Sequence, residues 1–394
     1  MPQTAASSKP AFARAHAGRP FFGIIDAVLV EGPVEFEFDG AIGREHAHEI
    51  WTWIVRDLAP ELIDPEANDR DPATRQALEA LLPDLLTRAR DALERGTRSL
   101  ENEQRLKAQL GGDEQFRRLP FVLEAIRCRH LIEKALVFGR AANGNDETAL
   151  TTALQAIPRG DAKVFALVMQ AAAGQMAVPS RLTTAAIRIA GSNAEIGLQR
   201  ADMGPVIDAM LAHAQNQIAP LRQSGAFSDV DLMCRAIDRF HRLIRSVNGY
   251  VEIGRGSRWS VVVGGIIRMM SERIEPRLKD VVLDVNRALR RYRDGADRLD
   301  RDQLLIALNA MYLLATVREC RDSLALNAIF DPAWTQVGQA LEIHVERNLE
   351  MLRANPADTI TSERLDAAIK MTELRFNTEY ADVLRRAKET VERR

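Results

Sequence analysis

The sequence predicts an all-α protein, either a multi-helix bundle or a helical-hairpin array, with a small N-terminal β-hairpin. Three observations predict this class. Aromatic residues make up only 5% of the 394 residues, so a core must consist mainly of Leu, Ile, Val, Ala and Met, which suits packed helices. Apolar residues recur at helical spacing through most of the chain after residue 40. Strand-like sequence is confined to residues 21–38.

Residues 1–20 are rich in Ala, Ser, Pro and Arg, and we expect a disordered tail there. Residues 21–30 are rich in Ile, Val and Phe, while residues 34–38 alternate apolar and acidic side chains, the period of a half-buried strand. Glu31-Gly32-Pro33 supplies a turn between them. We therefore predict a β-hairpin arm over residues 21–40, whose unpaired edges are free to add to another sheet, including that of a second copy.

The first helix is predicted over residues 40–59. Its core face is a single apolar stripe: Ala47, Ile50, Trp51, Ile54 and Leu58. A second face mixes polar and aromatic side chains, and we predict it as the partner-binding site: His46, Glu49, Trp53 and Asp57. Trp53 suits either a second buried contact, packed against the hairpin, or an exposed anchor for a partner.

Turn and cap residues divide the rest of the chain into many helices. Asp71-Pro72 is an N-cap followed by a first-turn proline, and Gly111-Gly112 is a predicted linker. Up to about residue 220 the helices are short and Ala-rich, and beyond it they lengthen. We therefore predict an N-terminal helical region, 41–224, and a C-terminal bundle, 225–394.

The predicted helices of the C-terminal bundle cover residues 228–253, 257–294, 301–328, 331–354 and 362–394. Ser257 is a suitable N-cap for the longest of them, and Pro276 is expected to kink or split it. The first half of the helix over 301–328 is apolar nearly all round, which predicts a central position.

Charge is distributed unevenly along the chain. From Asp26 to Asp71 there are thirteen acidic and three basic residues, whereas from Arg235 to Arg293 there are fourteen basic and six acidic residues. This asymmetry predicts either a basic surface that binds an anionic ligand or mutual attraction of the two segments.

The best candidate for anion binding is the loop Gly254-Arg255-Gly256-Ser257-Arg258. Its glycines let backbone N–H groups converge just before a helix N-terminus. Further arginines cluster at the other end of that helix. The predicted anion-binding residues are Arg255, Arg258, Arg287, Arg290 and Arg291. The plain alternative is a loop and a helix face with solvated arginines, and the loop lacks the lysine of a P-loop.

The sequence contains no recognisable catalytic motif. His46 and His48 point about 160° apart on a helix, whereas a helical zinc pair needs a spacing of four. No nucleophile elbow, patterned Cys–His pair or dinucleotide fingerprint is present. Cys128, Cys234 and Cys320 are isolated, which fits small buried residues in a reducing cytoplasm. We predict no catalytic residue, metal or cofactor.

The leading prediction is a cytoplasmic, non-enzymatic protein–protein interaction protein, an adaptor or scaffold that binds a protein partner or forms a homo-oligomer. One alternative is a binder of nucleic acid or acidic lipid through the basic helices 235–293. Another is an all-α enzyme whose polar pocket is assembled from distant helices. The longest nearly apolar run, 304–317, is too short to span a bilayer, so no transmembrane segment is expected.

Overall fold

A computed structural model of the chain describes residues 25–32, 35–63, 72–144, 146–222, 229–291 and 298–393. Sixteen α-helices form nearly all the regular structure of these residues, so the all-α class is confirmed. The chain divides into two compact units, the first of Met1–Asn216 with Tyr250–Glu252 and the second of Gln217–Gly249 with Ile253–Arg394. The predicted tail over 1–20 and the predicted boundary at 224 lie outside the described residues.

The first unit contains ten of the α-helices found in the described residues. They are α1 (Arg44–Trp53), α2 (Pro72–Gly96), α3 (Leu100–Leu110), α4 (Asp113–Arg127), α5 (Arg129–Ala141), α6 (Glu147–Gln155), α7 (Ala162–Gly174), α8 (Ser180–Ala190), α9 (Glu195–Arg200) and α10 (Gly204–Asn216). A single π-helical turn, Ile54–Leu58, extends α1. Helix α7 packs against both α5 and α10, and α6 packs against α8.

The N-terminal arm forms a small parallel sheet, so the predicted hairpin is wrong. Strands β1 (Leu29–Val30) and β2 (Ile42–Gly43) pair in parallel, and Leu29 lies opposite Ile42. A hairpin joins antiparallel strands, whereas parallel strands need a longer connection. Of the predicted strands, residues 21–24 and 33–34 lie outside the described part of the chain, and residues 35–38 are irregular.

The reason for this difference lies far along the chain. The backbone N–H of Glu31 donates to Oδ1 of Asn216 at 2.8 Å, and that of Phe36 donates to Oε1 of Gln215 at 3.1 Å. Two side chains at the end of α10 therefore satisfy backbone groups that a hairpin pairs with each other. The alternation of apolar and acidic residues over 34–38 does not indicate that Gln215 and Asn216 supply these hydrogen bonds.

Gly40 brings the arm directly onto the backbone of α7. Its φ is +93°, and a Cβ atom there would lie 2.3 Å from the carbonyl oxygen of Ala166. Only glycine adopts this conformation at such a distance without strain. The arm is consequently part of the packed first unit.

The second unit contains the six remaining α-helices of the described residues. They are α11 (Val230–Asn248), α12 (Arg258–Leu289), α13 (Arg301–Cys320), α14 (Asn327–Ala354), α15 (Thr359–Arg375) and α16 (Thr378–Glu392). The predicted helix over 362–394 is therefore two helices, with Asn377 capping the second through the N–H of Tyr380. Helix α12 continues through Pro276 without a break.

Two hydrogen bonds indicate the relative direction of α12 and α14. Ser271 of α12 accepts from the N–H of Ala325, just before α14, and Asn286 near the end of α12 pairs with His344 within α14, so the two helices run in the same direction. Helix α13 packs against α11, α12, α14 and α15, which fits its predicted central position. The second unit is thus a helical bundle around α13.

Candidate partner-binding site

Helix α1 is the element around which the candidate site is built. Its predicted core face is buried at Ala47, Ile50, Trp51 and Ile54. The second face packs on α3 and α4, a helical hairpin that follows some fifty residues later in the sequence. Trp53 is only 2% exposed. Trp53 is therefore a buried contact and not an exposed anchor, but this face packs on α3 and α4 and not on a β-hairpin.

His46 lies in an acidic cavity of about 350 Å³ at the start of α1. Three glutamates, Glu37, Glu45 and Glu114, line this cavity together with Arg118. Arg118 forms ion pairs with Glu37 and, at 3.0 Å, with Glu114. The hydrogen bond from Arg118 holds the pKa of Glu114 below its usual value. The Nδ1 atom of His46 is buried without a hydrogen-bond partner among the described residues.

Glu49 lies one turn further along α1, between two cavities. Its carboxylate accepts a hydrogen bond from Nε2 of Gln115 in α4. A Cβ atom at Gly111 would lie 3.9 Å from Oε2 of Glu49, so Glu49 faces the turn between α3 and α4. Its hydrogen bond ties α1 to the α3–α4 hairpin.

Trp53 lines a second cavity, of about 400 Å³, which we call the arginine cavity. Three further apolar residues line it: Leu58, Ala92 and Leu106. Three arginines and one acidic residue also line it: Arg95, Arg98, Arg105 and Asp57. Arg95 lies in the last turn of α2, Arg98 lies in the turn that follows, and Arg105 belongs to α3. Three successive segments thus contribute arginines to one cavity.

The turn between α2 and α3 is fixed by hydrogen bonds. Ser99 caps α3 by accepting from the N–H of Asn102 at 3.2 Å, and Nδ2 of Asn102 donates to the carbonyl of Arg95 at 3.3 Å. A Cβ atom at Gly96 would lie 2.5 Å from Cδ2 of Leu106, so α2 and α3 pack closely here. These contacts hold Arg98 beside the cavity.

The three arginines of this cavity have no carboxylate partner in the part of the chain that the structure describes. All three are exposed, and Nε of Arg95 donates only to the carbonyl of Asp91 in its own helix, at 3.1 Å. Asp57 is instead paired with Arg56, at 2.6 Å. The cavity therefore combines apolar lining residues with three exposed arginines that have no carboxylate partner among the described residues.

The predicted anion-binding residues do not form a single site. Arg255 and Arg258 lie exposed at the start of α12, and Arg287, Arg290 and Arg291 lie exposed at its end. At the rise of an α-helix the two groups are roughly 43 Å apart. Ser257 caps α12 as predicted, by accepting from the N–H of Ser260 at 3.2 Å.

Many charges of the basic segment have local partners. Arg235 pairs with Asp231 at 2.8 Å, and Lys279 pairs with Glu275 at 2.5 Å. Each pair is spaced four residues apart on one helix, as on an ordinary solvated helix face.

The cysteines lie in surroundings that favour the neutral thiol. Cys128 and Cys320 are buried, and burial raises the pKa of Cys128 to about 11 and that of Cys320 to about 12. Burial also raises the pKa of the half-buried Cys234. A thiolate nucleophile is disfavoured at all three positions.

Of the predicted partner-binding residues, His46 lines the first cavity and Trp53 and Asp57 line the second, whereas Arg95, Arg98 and Arg105 were not predicted. The run Arg95-Gly96-Thr97-Arg98-Ser99 has nearly the same composition as the loop over 254–258, so a compositional signal was present. The two segments differ in that residues 95–98 lie beside Trp53 of α1. This difference arises from tertiary packing, which the composition of a segment does not reveal.

No family model matches the chain, and no curated protein or solved structure is significantly similar to it. Within the described residues, no three His, Cys, Asp or Glu side chains are grouped to hold a metal ion. A search of the same residues finds no helix whose length and apolar character suffice to cross a membrane.

Proposed function

We propose that the protein is a non-enzymatic interaction protein that binds an acidic segment of a protein partner in the arginine cavity. The observation that carries this proposal is a set of three exposed arginines, Arg95, Arg98 and Arg105, that line one cavity without a carboxylate partner among the described residues. Guanidinium groups bind carboxylates through paired, charge-assisted hydrogen bonds. Arginine is also among the residues that most often dominate binding energy at protein interfaces.

The charges around the cavity favour a protein segment over a nucleic acid. Four acidic residues flank the three arginines along α2 and α3: Asp91, Glu94, Glu101 and Glu103. They would repel an extended polyanion that runs along α2 and α3 more than a short segment that binds within the cavity. A nucleic acid is bound instead along a continuous basic stripe that neutralises several phosphates.

We place the partner surface in the cavity rather than at the N-terminal arm. Strand β1 is only two residues long, and both of its residues are buried. A short, buried strand offers little free backbone for pairing with another sheet. The arm packs on α7 and α10, as described above.

The test is a charge reversal with a matched control. We expect the triple variant Arg95→Glu, Arg98→Glu, Arg105→Glu to bind short acidic peptides on an array about tenfold or more weakly, because it loses charge-assisted hydrogen bonds. The control, Arg255→Glu, Arg258→Glu, Arg287→Glu, changes the net charge equally and should bind like wild type. Equal loss in both variants, or no loss in the first, contradicts the proposal.

The arginines at the end of α12 support a second candidate, binding of an anionic surface. Arg287, in the last turn of α12, and Arg290 and Arg291, just after its end, are all exposed. If nucleic acid or acidic lipid is the ligand, binding weakens steeply with added salt. The same control variant then loses affinity for a DNA duplex or phosphatidylserine vesicles, while the first variant keeps it.

A further inference from the structure

We infer that Arg318 and Arg375, two arginines whose guanidinium groups meet on the indole ring of Trp334, form a binding site for a phosphate monoester. The site lies in the second unit, and helices α13, α14 and α15 contribute one residue each. Its basis is the convergence of two cations on one ring, with no carboxylate paired to either of them among the described residues. The inference does not depend on the arginine cavity, so either proposal can fail without the other.

Two arginines from different helices lie over the same tryptophan. The Cζ atom of Arg318, in the last turn of α13, is 4.8 Å from the centroid of the Trp334 ring. The Cζ atom of Arg375, the last residue of α15, is 4.1 Å from the same centroid. Because both distances are measured to one point, the two Cζ atoms are separated by at most their sum, about 9 Å. A phosphate that accepts hydrogen bonds of about 2.8 Å from both guanidinium groups bridges a gap of this size.

The guanidinium group of Arg375 is held against α14. Its Nε donates to the carbonyl oxygen of Trp334 at 2.7 Å. A Cβ atom at Gly338, one turn after Trp334, would lie 3.0 Å from Nη2 of Arg375, so glycine at this position leaves room for the guanidinium group. Neither Nη1 nor Nη2 donates a hydrogen bond to another described residue. Arg375 is therefore ordered through Nε, and its two terminal nitrogens remain available to a ligand at a small further cost in conformational entropy.

The charges around Trp334 leave the site positive. Burial lowers the pKa of Arg375, and Arg318 lowers it further, whereas Glu342 raises it by less than Arg318 lowers it. Within the described part of the chain, neither Glu342 nor Glu319, which follows Arg318 in sequence, forms an ion pair with these arginines. The repulsion between the two guanidinium groups is thus not cancelled by the neighbouring acids. An anion that contacts both groups would relieve it.

The number of hydrogen-bond donors favours a phosphate monoester over other anions. A single guanidinium group already pairs with both oxygens of a carboxylate. A phosphate monoester has three terminal oxygens and carries nearly two negative charges at neutral pH, so it can pair with both guanidinium groups at once. A phosphodiester of a nucleic acid has only two terminal oxygens and one negative charge. Two convergent arginines therefore suit the monoester best.

The test is a tryptophan fluorescence titration of the full chain with glycerol 2-phosphate at constant ionic strength. Trp334 is half-buried, whereas the other three tryptophans are buried, so the signal reports on this site. We expect a saturable change in the wild type and about tenfold or more weaker binding in Arg318→Gln, which loses charge-assisted hydrogen bonds. Arg318 is exposed, so this variant should fold. Arg353→Gln, at an exposed position of α14, is the matched control and should bind like the wild type.

Two comparison ligands and a second variant complete the test. Acetate and dimethyl phosphate should bind at least about tenfold more weakly than glycerol 2-phosphate. Arg375→Lys keeps the positive charge but loses the planar fork, and it should also weaken binding. Calorimetry under the same conditions detects any binding that leaves the fluorescence unchanged.

Four results would overturn the inference. They are no binding of glycerol 2-phosphate by either method, equal binding of acetate or dimethyl phosphate, wild-type affinity in Arg318→Gln, and an equal loss of affinity in Arg353→Gln. Binding of the monoester that is weakened in Arg318→Gln and Arg375→Lys and kept in Arg353→Gln supports it.

Discussion

His344 illustrates how one buried polar residue sets a property of the second unit. Its side chain is 8% exposed, and Nε2 donates to Oδ1 of Asn286 at 2.9 Å. Burial, reinforced by Arg347 and Arg364, lowers the pKa of His344 below its ordinary value of 6.5. The folded protein therefore holds this imidazole in its neutral form.

The stability of the second unit should fall on mild acidification. Below about pH 6.5 the unfolded chain binds a proton at His344 that the folded chain does not, so the free energy of unfolding decreases as the pH falls. His241 acts in the same direction, because burial also lowers its pKa. The buried His344 contributes at most about 1.4 kcal/mol per pH unit in this window, and the partly exposed His241 contributes less because solvent screens its charge.

Urea denaturation between about pH 7.5 and pH 5.5 measures this effect, in the range where histidine titrates. The variant His344→Gln should lose part of the pH dependence of the wild type. His130→Gln, at an exposed position of α5, is the matched control and should retain the full dependence. An unchanged slope in His344→Gln would exclude the proposed role of this residue.

At the scale of elements, local signals in the sequence predicted helices well. Ser257 begins α12 as its capping chemistry predicts, because a cap depends on neighbours within one turn. Pro276 did not break α12. It lies exposed, as does Glu272 one turn before it, and water can satisfy the carbonyl that loses its helical partner there.

The predictions failed where the local structure depends on residues that are far away in the sequence. The hairpin failed because Gln215 and Asn216 supply the hydrogen bonds of the arm. The arginine cavity was not predicted for the same reason. Arg98 and Trp53 line one cavity only because α1 packs on α3, and the sequence gives no sign of this packing. The second face of α1 was recognised from its own periodicity. The helices that cover it, α3 and α4, could not be identified from that pattern.

Replacing glycine by alanine should change the free energy of unfolding in opposite directions at two helical glycines. A Cβ atom at Gly139 of α5 would lie 2.3 Å from the carbonyl oxygen of Ala172 in α7, whereas nothing lies within 4 Å of one at Gly264 of α12. Gly139→Ala should cost about 1–3 kcal/mol through overpacking. Gly264→Ala should gain up to about 1 kcal/mol from helix propensity.

Thermal denaturation of the two glycine variants checks this prediction. We expect the melting temperature to fall in Gly139→Ala and to stay or rise in Gly264→Ala. Each variant controls for the other, because the chemical change is the same. Two shifts of the same sign and size would show that the close approach of α5 and α7 contributes nothing to stability.

At the scale of the whole molecule, many residues of the acidic and the basic segment form ion pairs with oppositely charged residues of their own unit. Within the first unit, Arg44 bridges Asp26 at 2.6 Å and Glu31 at 2.5 Å, and Arg118 pairs with Glu37. In the second unit, basic residues pair along their own helices. The arginine cavity differs from both segments because its three arginines have no such partners among the described residues.

The most direct test of the arginine cavity is hydrogen exchange of the full chain with and without a short acidic peptide that binds it on the array. We expect slower exchange over residues 92–109 and 53–58, because a bound segment orders these helix ends and excludes water from them. Residues 255–258 and 287–291 should be unchanged. Protection at these ends of α12 instead, or no protection at saturating peptide, would contradict the account.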